Sequence, residues 1–417
     1  MAPRIRWFSW VVVLAVGALL TVELGQTRAQ TLNEGWNVLE QKYNGARGLA
    51  LGFLKGQPVD PNDKNHQEAI DLLAKTWTYG VYLRKLELQH DGMRKDFAEF
   101  ERAVDTDILK PRNQQAVQTF AEIFRDKVRV HALEVIQYKD ARPIHKLHNA
   151  RVLAEIAKLG QEELADTLVT VLNDPQQTDG VRYYMFNGLA TLLPRLQPAR
   201  QAKSAAALVE FLEKRKGPDT KKATPEEVDG FIFFRREAIR ALAKVRTPAI
   251  DDKVRPALVL ARYAGNDTSI QPPPRIDERV EAAVGLARMQ TSNNKQYQAD
   301  YAAGQIAKCL GALAQSAEAE RANQKDTRTH PWRILAAQLK DALEDLKKIN
   351  EKNQWVVKLA DRGAQVLGDV IKGNPINATE QTWWSSQQSD PPSKELFQGS
   401  ADSVVKPGLP AEAVPEK

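Results

Sequence analysis

The chain has 417 residues, of which 42% are hydrophobic and 27% charged, so it can bury a large core and is not disordered as a whole. Its formal net charge is +6, and Lys and Arg alternate with Asp and Glu along most of its length. This mixing gives no specific signal for a nucleic-acid-binding protein. The single cysteine, Cys309, excludes an intramolecular disulfide, and its apolar neighbours predict a small buried residue.

The first residues have the pattern of a secretory signal peptide. Arg4 and Arg6 precede an apolar run over 7–22, and a small-residue cleavage pattern follows at 27–29. The run is shorter than the roughly 20 residues that span a bilayer as a helix. We therefore predict a signal peptide over residues 1–29 and export to the periplasm or the extracellular space. The alternative is a membrane anchor formed by residues 7–22.

Residues 30–142 are predicted to form a helical region without a clear repeat. Apolar residues recur at helical spacing in four segments of this region, which indicates four amphipathic helices. The apolar positions are Trp36, Leu39, Tyr43 and Ala46; Ala69, Leu72, Leu73 and Trp77; Phe97, Phe100 and Val104; and Val117, Phe120, Phe124 and Val128.

A five-residue helical phrase then occurs four times. Its second residue is apolar, its third is always alanine, and further apolar residues lie three and four positions before the second residue and three positions after it. A shared packing role in stacked helical hairpins explains this recurrence. The second and third residues of the copies are Ile156 and Ala157, Leu189 and Ala190, Leu242 and Ala243, and Leu286 and Ala287.

The segment from Pro143 resembles the HEAT-like repeat family. The resemblance is carried by Ala154, Ile156, Ala157 and Leu159 of one helix, the break at Gly160, Leu164, Leu168 and Leu172 of a second helix, and the Asp174-Pro175 turn before Val181-Arg182. It implies paired antiparallel helices stacked as an all-α solenoid, an α-α superhelix, over about 143–315. It also implies that the arginine seven residues before the second residue of the phrase forms hydrogen bonds between stacked repeats, with ligand binding as the alternative. This arginine is present as Arg182, Arg235 and Arg279.

Two insertions make the spacing of the copies unequal, and they lie at 214–227 and 265–275. Loops carry function more often than packed helices do, so these insertions and the concave face of the solenoid are candidate contact surfaces. The first insertion is basic, which predicts a solvated loop, with contact to an anionic surface or polymer as the alternative. Its basic residues are Lys214, Arg215, Lys216, Lys221 and Lys222.

Beyond the repeats, Pro331 is placed to begin a longer helix, and a partner helix is predicted to end near Gly373. This pair is expected to cap the stack, so that repeats and cap together occupy 143–373. Residues 374–417 are rich in Pro, Ser, Gln and acidic residues, which predicts a disordered tail. The tail also contains Trp383, Trp384 and the apolar pair Leu396-Phe397, which either dock back onto the helices or contact a partner.

Motifs for phosphate binding, nucleophilic catalysis or zinc-protease chemistry are not recognisable. His145 and His148 are spaced to lie on one side of a helix, but no third metal ligand is indicated, and a solvated helix start is the preferred interpretation. We therefore predict no catalytic residue, no cofactor and no metal ligand.

The sequence favours an exported, non-catalytic binding or scaffolding module for a protein or polymer partner in the cell envelope. A secreted polysaccharide hydrolase or lyase built on paired helices is the alternative. The two are distinguished by whether a deep pocket brings together two carboxylates and several tryptophans.

Overall fold

The computed structural model describes residues 35–85, 88–89, 91–110, 114–219, 221–291, 294–323, 331–377, 380, 384 and 390–406. Their regular structure is helical, apart from isolated β-bridges such as the antiparallel one between Tyr297 and Phe397. Among these residues, no helix has the length and apolar character needed to cross a membrane. The predicted signal segment, residues 1–29, lies outside the described residues.

The chain divides into two compact units. Unit 1 comprises Met1–Val171 and Gln176–Gly188, and unit 2 comprises Leu172–Pro175 and Leu189–Lys417. The boundary that the sequence suggested between residues 142 and 143 lies inside unit 1. It is not seen as a structural division because the helix that begins at Pro143 packs against the helix before it.

Unit 1 is a set of consecutive helices around an aromatic core. The helices are α1 (Trp36–Leu54), α2 (Lys64–Leu83), α3 (Gly92–Arg102), a π-helical segment (Ala103–Ile108), α4 (Gln114–Gln137), α5 (Pro143–Ile156), a 3-10 turn (Ala157–Leu159), most of α6 (Glu162–Asn173) and most of α7 (Asp179–Leu192). Helix α2 packs on α1 and on α4, and α5 packs on α4.

The core of unit 1 is formed by the apolar stripes that the sequence predicts. Phe120 and Phe124 stack with their ring centroids 5.3 Å apart. Trp77 meets Phe124 edge-to-face at 5.6 Å and Phe100 at 5.4 Å. These offset and edge-to-face contacts add to the burial of apolar area, which is the main source of stability.

Unit 2 is a stack of helix pairs in two layers. The helices are α8 (Pro198–Lys214), α9 (Pro225–Leu242), α10 (Pro256–Ala264), α11 (Ile276–Ala287), α12 (Ala299–Asn323), α13 (Pro331–Ile349) and α14 (Gln354–Lys372). One layer contains α9, α11 and α13, and we call the other, α8, α10, α12 and α14, the second-helix layer. Each helix contacts the next in its own layer and the one that follows it in sequence. This arrangement confirms the all-α fold of HEAT-like helix pairs.

Local sequence signals explain where these helices begin and end. Thr224 caps α9 through a reciprocal capping box, in which its hydroxyl accepts a hydrogen bond from the Glu227 N–H and the Glu227 carboxylate accepts one from the Thr224 N–H at 2.9 Å. Gly160 and Gly373 adopt left-handed conformations at helix ends, with φ of 76° and 75°. Proline is the first residue of α5, α8, α9, α10 and α13, where its missing N–H costs nothing.

Candidate partner-binding surface

An extended segment lies on the second-helix layer of unit 2. It comprises residues 390–406 and is called the strap below. Its apolar residues Leu396, Phe397 and Val405 are buried, although the segment contains only one short 3-10 turn, Ala401–Ser403. The prediction of a disordered tail from residue 374 is therefore wrong for the strap, and the docking alternative holds. The composition predicts disorder because the strap contains few apolar residues. Three of these residues nevertheless pack against a complementary surface of the helices and loops.

Two glycines of α12 provide that surface. Gly304 and Gly311 are seven residues apart and therefore lie on the same face of the helix. A Cβ at Gly304 would lie 2.7 Å from the Pro391 ring, and one at Gly311 would lie 3.1 Å from Cβ of Trp384. The missing side chains let the strap and Trp384 approach the helix backbone. Trp384 is buried, whereas its predicted companion Trp383 lies outside the described residues.

Side chains of α12 and of the second insertion bind the backbone of the strap. The Asp300 carboxylate accepts a hydrogen bond from the Ser393 N–H at 2.9 Å, and the Tyr301 hydroxyl accepts one from the Val405 N–H at 2.8 Å. The Asp267 carboxylate accepts one from the Lys406 N–H at 2.9 Å. Recognition of backbone groups does not depend on side-chain identity, so these contacts suit extended peptides in general.

Backbone hydrogen bonds and charge complete the attachment. The Gln298 N–H donates to the Leu396 carbonyl at 2.9 Å, and the Gln398 N–H donates to the Gln296 carbonyl at 2.9 Å. Arg255 of the loop before α10 donates to the Asp402 carboxylate and, at 2.9 Å, to the Ser400 hydroxyl.

These donors have an electrostatic consequence for the strap. Hydrogen bonds from Arg255 and Ser400 hold the pKa of Asp402 well below its usual range. Asp402 is therefore an anion at neutral pH. Arg262 of α10 also reaches the strap, because its guanidinium donates to the Asp402 backbone carbonyl at 3.3 Å.

A polar cleft of about 380 Å³ opens beside this contact. The strap forms one wall with Phe397, Ser400 and Asp402, and the loops before α10 and before α12 form the other. Three aspartates line the cleft, but two have structural partners: Asp251 accepts hydrogen bonds from the N–H groups of two following residues, and Asp402 pairs with Arg255. The remaining lining residues are Ala249, Ile250, Asp252, Asn294 and Gln296, without a tryptophan among the described lining.

The arginines predicted to link repeats have different surroundings. Arg235 is buried and forms a bidentate ion pair with Glu278, with N–O distances of 2.6 and 2.8 Å, and it donates to the Pro272 carbonyl. Arg279 is buried and donates to the carbonyls of Ala264 and Lys308 at 3.2 and 3.0 Å. Arg182 lies 3.4 Å from Asp179, three residues earlier on its own helix.

The basic residues of the first insertion differ in their contacts. Lys214 pairs with Glu210 at 2.8 Å, and Arg215 stacks over the rings of Phe211 and Phe234. Lys222 lies 3.8 Å from Asp219, and the side chains of Lys216 and Lys221 are exposed.

The two insertion loops meet each other through another glycine. A Cβ at Gly217 would lie 2.4 Å from the Pro272 ring, so the first insertion packs closely on the second. The second insertion, 265–275, also holds one end of the strap. The Thr268 N–H donates to the Lys406 carbonyl at 3.1 Å, beside the contact between Asp267 and the Lys406 N–H.

The residues of the recurrent phrase lie in helix contacts. The apolar second residue of every copy is buried, and the alanine is buried in the first and fourth copies and half-buried in the other two. Gly285, the first residue of the fourth copy, shows why small residues are needed. A Cβ there would lie 2.5 Å from Cβ of Ala243, so α9 and α11 approach closely at this point. The positions are Ile156, Ala157, Leu189, Ala190, Leu242, Ala243, Leu286 and Ala287.

One titratable cluster of unit 1 links α2 to α4. His131 Nε2 lies 2.8 Å from the Asp71 carboxylate, and Nδ1 lies 2.9 Å from the Tyr79 hydroxyl, which donates to Glu134. Burial lowers the pKa of His131, but hydrogen bonds to Asp71 and Glu134 outweigh it, so the pKa is raised. In the protonated ring both nitrogens act as donors, Nε2 to Asp71 and Nδ1 to Tyr79.

The interpretation of His145 and His148 as a solvated helix start is wrong. Both are buried because the start of α5 packs on α2 and α3, with His145 edge-to-face on Tyr82 and His148 edge-to-face on Phe97. Burial lowers the pKa of His148 to about 4 and raises the pKa of Asp96, whose carboxylate is 3.9 Å away, to about 6.

Within the described ranges, one group of carboxylates has the spacing of metal ligands. Oxygens of Glu101, Asp105 and Glu155 lie within 4.8 Å of one another beside the π-helical segment. The Lys158 ammonium already lies among them, 3.0 Å from Asp105 and 2.6 Å from Glu155. Lys158 therefore offsets part of the negative charge of the cluster and occupies the space between two of its carboxylates.

The residues that hold the strap were not identified from the sequence. Asp267, Asp300, Tyr301 and Arg255 lie in separate elements, and their common role depends on a segment about 100 to 140 residues further along the chain. The only local signal is the pair of glycines, Gly304 and Gly311, on one face of α12. Glycine destabilises the interior of a helix, so two of them on one face indicate that another segment approaches the helix closely there.

The sequence matches no protein-family model and no curated protein. Solved structures with some similarity to this chain include two that cover most of it. The crystal structure of Kap121p bound to Nup53p is 12% identical with a TM-score of 0.34, covering 78% of this chain and 33% of that chain, so the chain spans about a third of its length.

The other structure describes tubulin recruitment and assembly by microtubule polymerases with Tumor Overexpressed Gene (TOG) domain arrays. It is 12% identical with a TM-score of 0.18, covering 82% of this chain and 84% of that chain. The fold assignment rests on the helix contacts within each unit, not on these similarities. The described residues form an all-α protein of HEAT-like helix pairs, with the strap lying on the second-helix layer of unit 2.

Proposed function

We propose that the protein is an exported, non-catalytic module that binds a protein partner in the cell envelope through the second-helix layer of unit 2. The observation that carries the proposal is the strap itself. Side chains of this layer and its loops already hold an extended peptide by its backbone, by apolar anchors and by an ion pair. A surface that binds one extended segment has the chemistry to bind another.

Two of the three carboxylates in the cleft beside the strap have structural partners, which favours a binding role for this cleft. A hydrolase of the polysaccharide class needs two carboxylates with opposed pKa values beside an open substrate site. In the cleft beside the strap, Asp402 is committed to Arg255, and Asp251 is committed to backbone N–H groups. The tryptophan-lined pocket expected of the alternative is not found in the described lining of this cleft.

A crosslinking experiment tests the binding proposal. The tagged chain and two variants are expressed in the source cells and crosslinked, and recovered proteins are quantified by mass spectrometry. Arg255→Glu/Arg262→Glu reverses the charge on α10 and the loop before it, and Lys348→Glu/Lys352→Glu makes the same charge change at exposed residues in and just after α13.

We expect one saturable protein partner with the natural chain and with the α13 control. Its recovery should fall at least about tenfold in the Arg255/Arg262 variant, equivalent to about 1.4 kcal/mol of binding free energy. Equal recovery from all three chains, or no specific partner with any of them, would contradict the proposal.

Export is proposed from the pattern of residues 1–29 and has its own test. The mass and sequence of the native protein's first residues should show a chain that begins at Gln30. Recovery with the membrane fraction of a chain that retains residues 7–22 would support the anchored alternative instead. Either result leaves the binding test unchanged.

A further inference from the structure

The strap is a short irregular segment rather than a helix or a strand. Hydrogen bonds between residues 395 and 403 close part of it into a loop. Its apolar anchors Phe397 and Val405 pack outside the strap, against Tyr297 and Gly265, and exposed residues such as Lys394 and Gln398 lie between the anchors. Segments of this kind open locally at lower free energy than the core does. The surface beneath the strap can therefore become accessible without unfolding of the helix pairs.

The contacts define a recognition pattern. Leu396 and Phe397 form an apolar pair, Asp402 follows five residues after Phe397 and meets Arg255, and Val405 follows three residues later. Val405 also packs against Gly265, where a Cβ would lie 2.9 Å from its Cγ1. A partner peptide needs the same order of groups to occupy the same positions.

We propose that the second-helix layer of unit 2 is a groove for an extended peptide with this pattern, and that the strap is a built-in competitor which the partner peptide displaces. The inference rests on the proposed binding function and adds the chemistry of the partner and its regulation. The partner carries an apolar pair, an aspartate five residues further on, and a β-branched apolar residue three residues after that. Only molecules in which the strap has left the groove can bind the partner, so the apparent association constant is the intrinsic one multiplied by the fraction of such molecules.

A reversible lock tests the proposal within one protein. Tyr297 and Phe397 lie opposite each other in an antiparallel bridge, and the two backbone hydrogen bonds of the bridge are made by their neighbours in the sequence. In such a pair the Cα atoms are about 4.5 Å apart, a separation that suits a disulfide. Tyr297→Cys/Phe397→Cys therefore ties the strap down when oxidised and releases it when reduced. The native Cys309 does not compete, because burial raises its pKa to about 11.

The probe is a fluorescent synthetic peptide with the sequence of residues 392–406, measured by fluorescence anisotropy on the full chain. We expect the reduced variant to bind the probe at least about tenfold more tightly than the oxidised variant. A matched peptide with Phe397→Ser and Asp402→Lys should bind the reduced variant at least about tenfold more weakly. Circular dichroism checks that both redox forms are folded. Equal binding by the two forms, or no binding by the reduced form, would overturn the proposal.

A second variant retains the aromatic pair. The Ser393 hydroxyl donates to the Asp300 carboxylate at 2.8 Å, and Asp402 pairs with Arg255. Ser393→Ala/Asp402→Asn removes the hydroxyl contact and the ion pair, so the probe should bind this chain about three- to tenfold more tightly than the natural chain. Lys394→Gln, at an exposed position between the anchors, should leave probe binding unchanged. Unchanged affinity in the Ser393/Asp402 variant would also overturn the strap's role as a competitor. A cellular partner that binds the locked and unlocked chains equally would keep the binding function while refuting this groove.

Discussion

Replacing Gly304 with alanine tests the close contact between α12 and the strap. The substitution adds a methyl group at this contact and also raises the intrinsic stability of the helix, so the two effects have opposite signs. A Cβ at this position would lie 2.7 Å from Cγ and Cδ of Pro391, and its three nearest neighbours are all atoms of that residue. Carbon atoms in contact prefer 3.5–4.0 Å, so an overlap of about 1 Å must be relieved. Overpacking of this kind costs about 1–3 kcal/mol, whereas alanine in a helix interior gains about 0.5–1 kcal/mol over glycine.

We therefore expect Gly304→Ala to lower the free energy of unfolding by about 1–2 kcal/mol. Gly368→Ala is the matched control in α14, because a Cβ there meets nothing within 4 Å. The control should raise the free energy of unfolding by about 0.5–1 kcal/mol. Urea denaturation followed by circular dichroism measures both changes.

Hydrogen exchange shows where the effect of Gly304→Ala is located. The Val405 and Lys406 amides donate to unit 2 side chains, and in this variant they should exchange at least about fivefold faster than in the Gly368→Ala control, the factor that corresponds to about 1 kcal/mol. Amides within α11 should keep their protection. If Gly304→Ala stabilises the protein as Gly368→Ala does and strap exchange is unchanged, the close approach of strap and helix is refuted.

Three further predictions concern buried charges. Arg235→Met should lower the free energy of unfolding by about 3–5 kcal/mol because it leaves the Glu278 carboxylate buried without its partner, and adding Glu278→Leu should restore most of the loss in the same urea assay. The raised pKa of His131 makes its stabilising contribution present below its unfolded-state pKa of about 6.5 and lost as pH rises through the folded-state pKa. His131→Gln should therefore destabilise the chain more at about pH 6 than at about pH 9, and an equal loss at both would contradict this. The Asp96 carboxyl should titrate with a midpoint of about 6 in carbon-detected NMR, rather than at its usual acidic value.

The helices could be predicted from the sequence because their signals are local. The recurrent phrase places apolar residues at helical spacing, and prolines and glycines mark the ends, as at Pro331 and Gly373. The layered contacts of unit 2 follow from these signals once similar helix pairs stack.

The partner-binding surface could not be predicted in this way because its residues are joined only through space. The strap has the composition of a solvated segment, and nothing near residue 300 in the sequence indicates that Asp300 binds a backbone group of Ser393. The two histidines of α5 show the opposite problem. A charged residue, Lys146, lies between them in the sequence and is typical of a solvent-exposed helix start, whereas packing against α2 and α3 buries both imidazoles.

The contacts of the strap also determine the order in which the parts of unit 2 can fold. Lys406 bonds to Asp267 across 139 positions of the chain, and Val405 bonds to Tyr301 across 104. Contacts between residues so distant in sequence form late, after local helix pairs have assembled. During synthesis the ribosome releases α10, α11 and α12 well before the strap, so the face that contains Gly304 and Gly311 is uncovered in the nascent chain. This interval gives a chaperone or partner access to that face before the chain's own segment covers it.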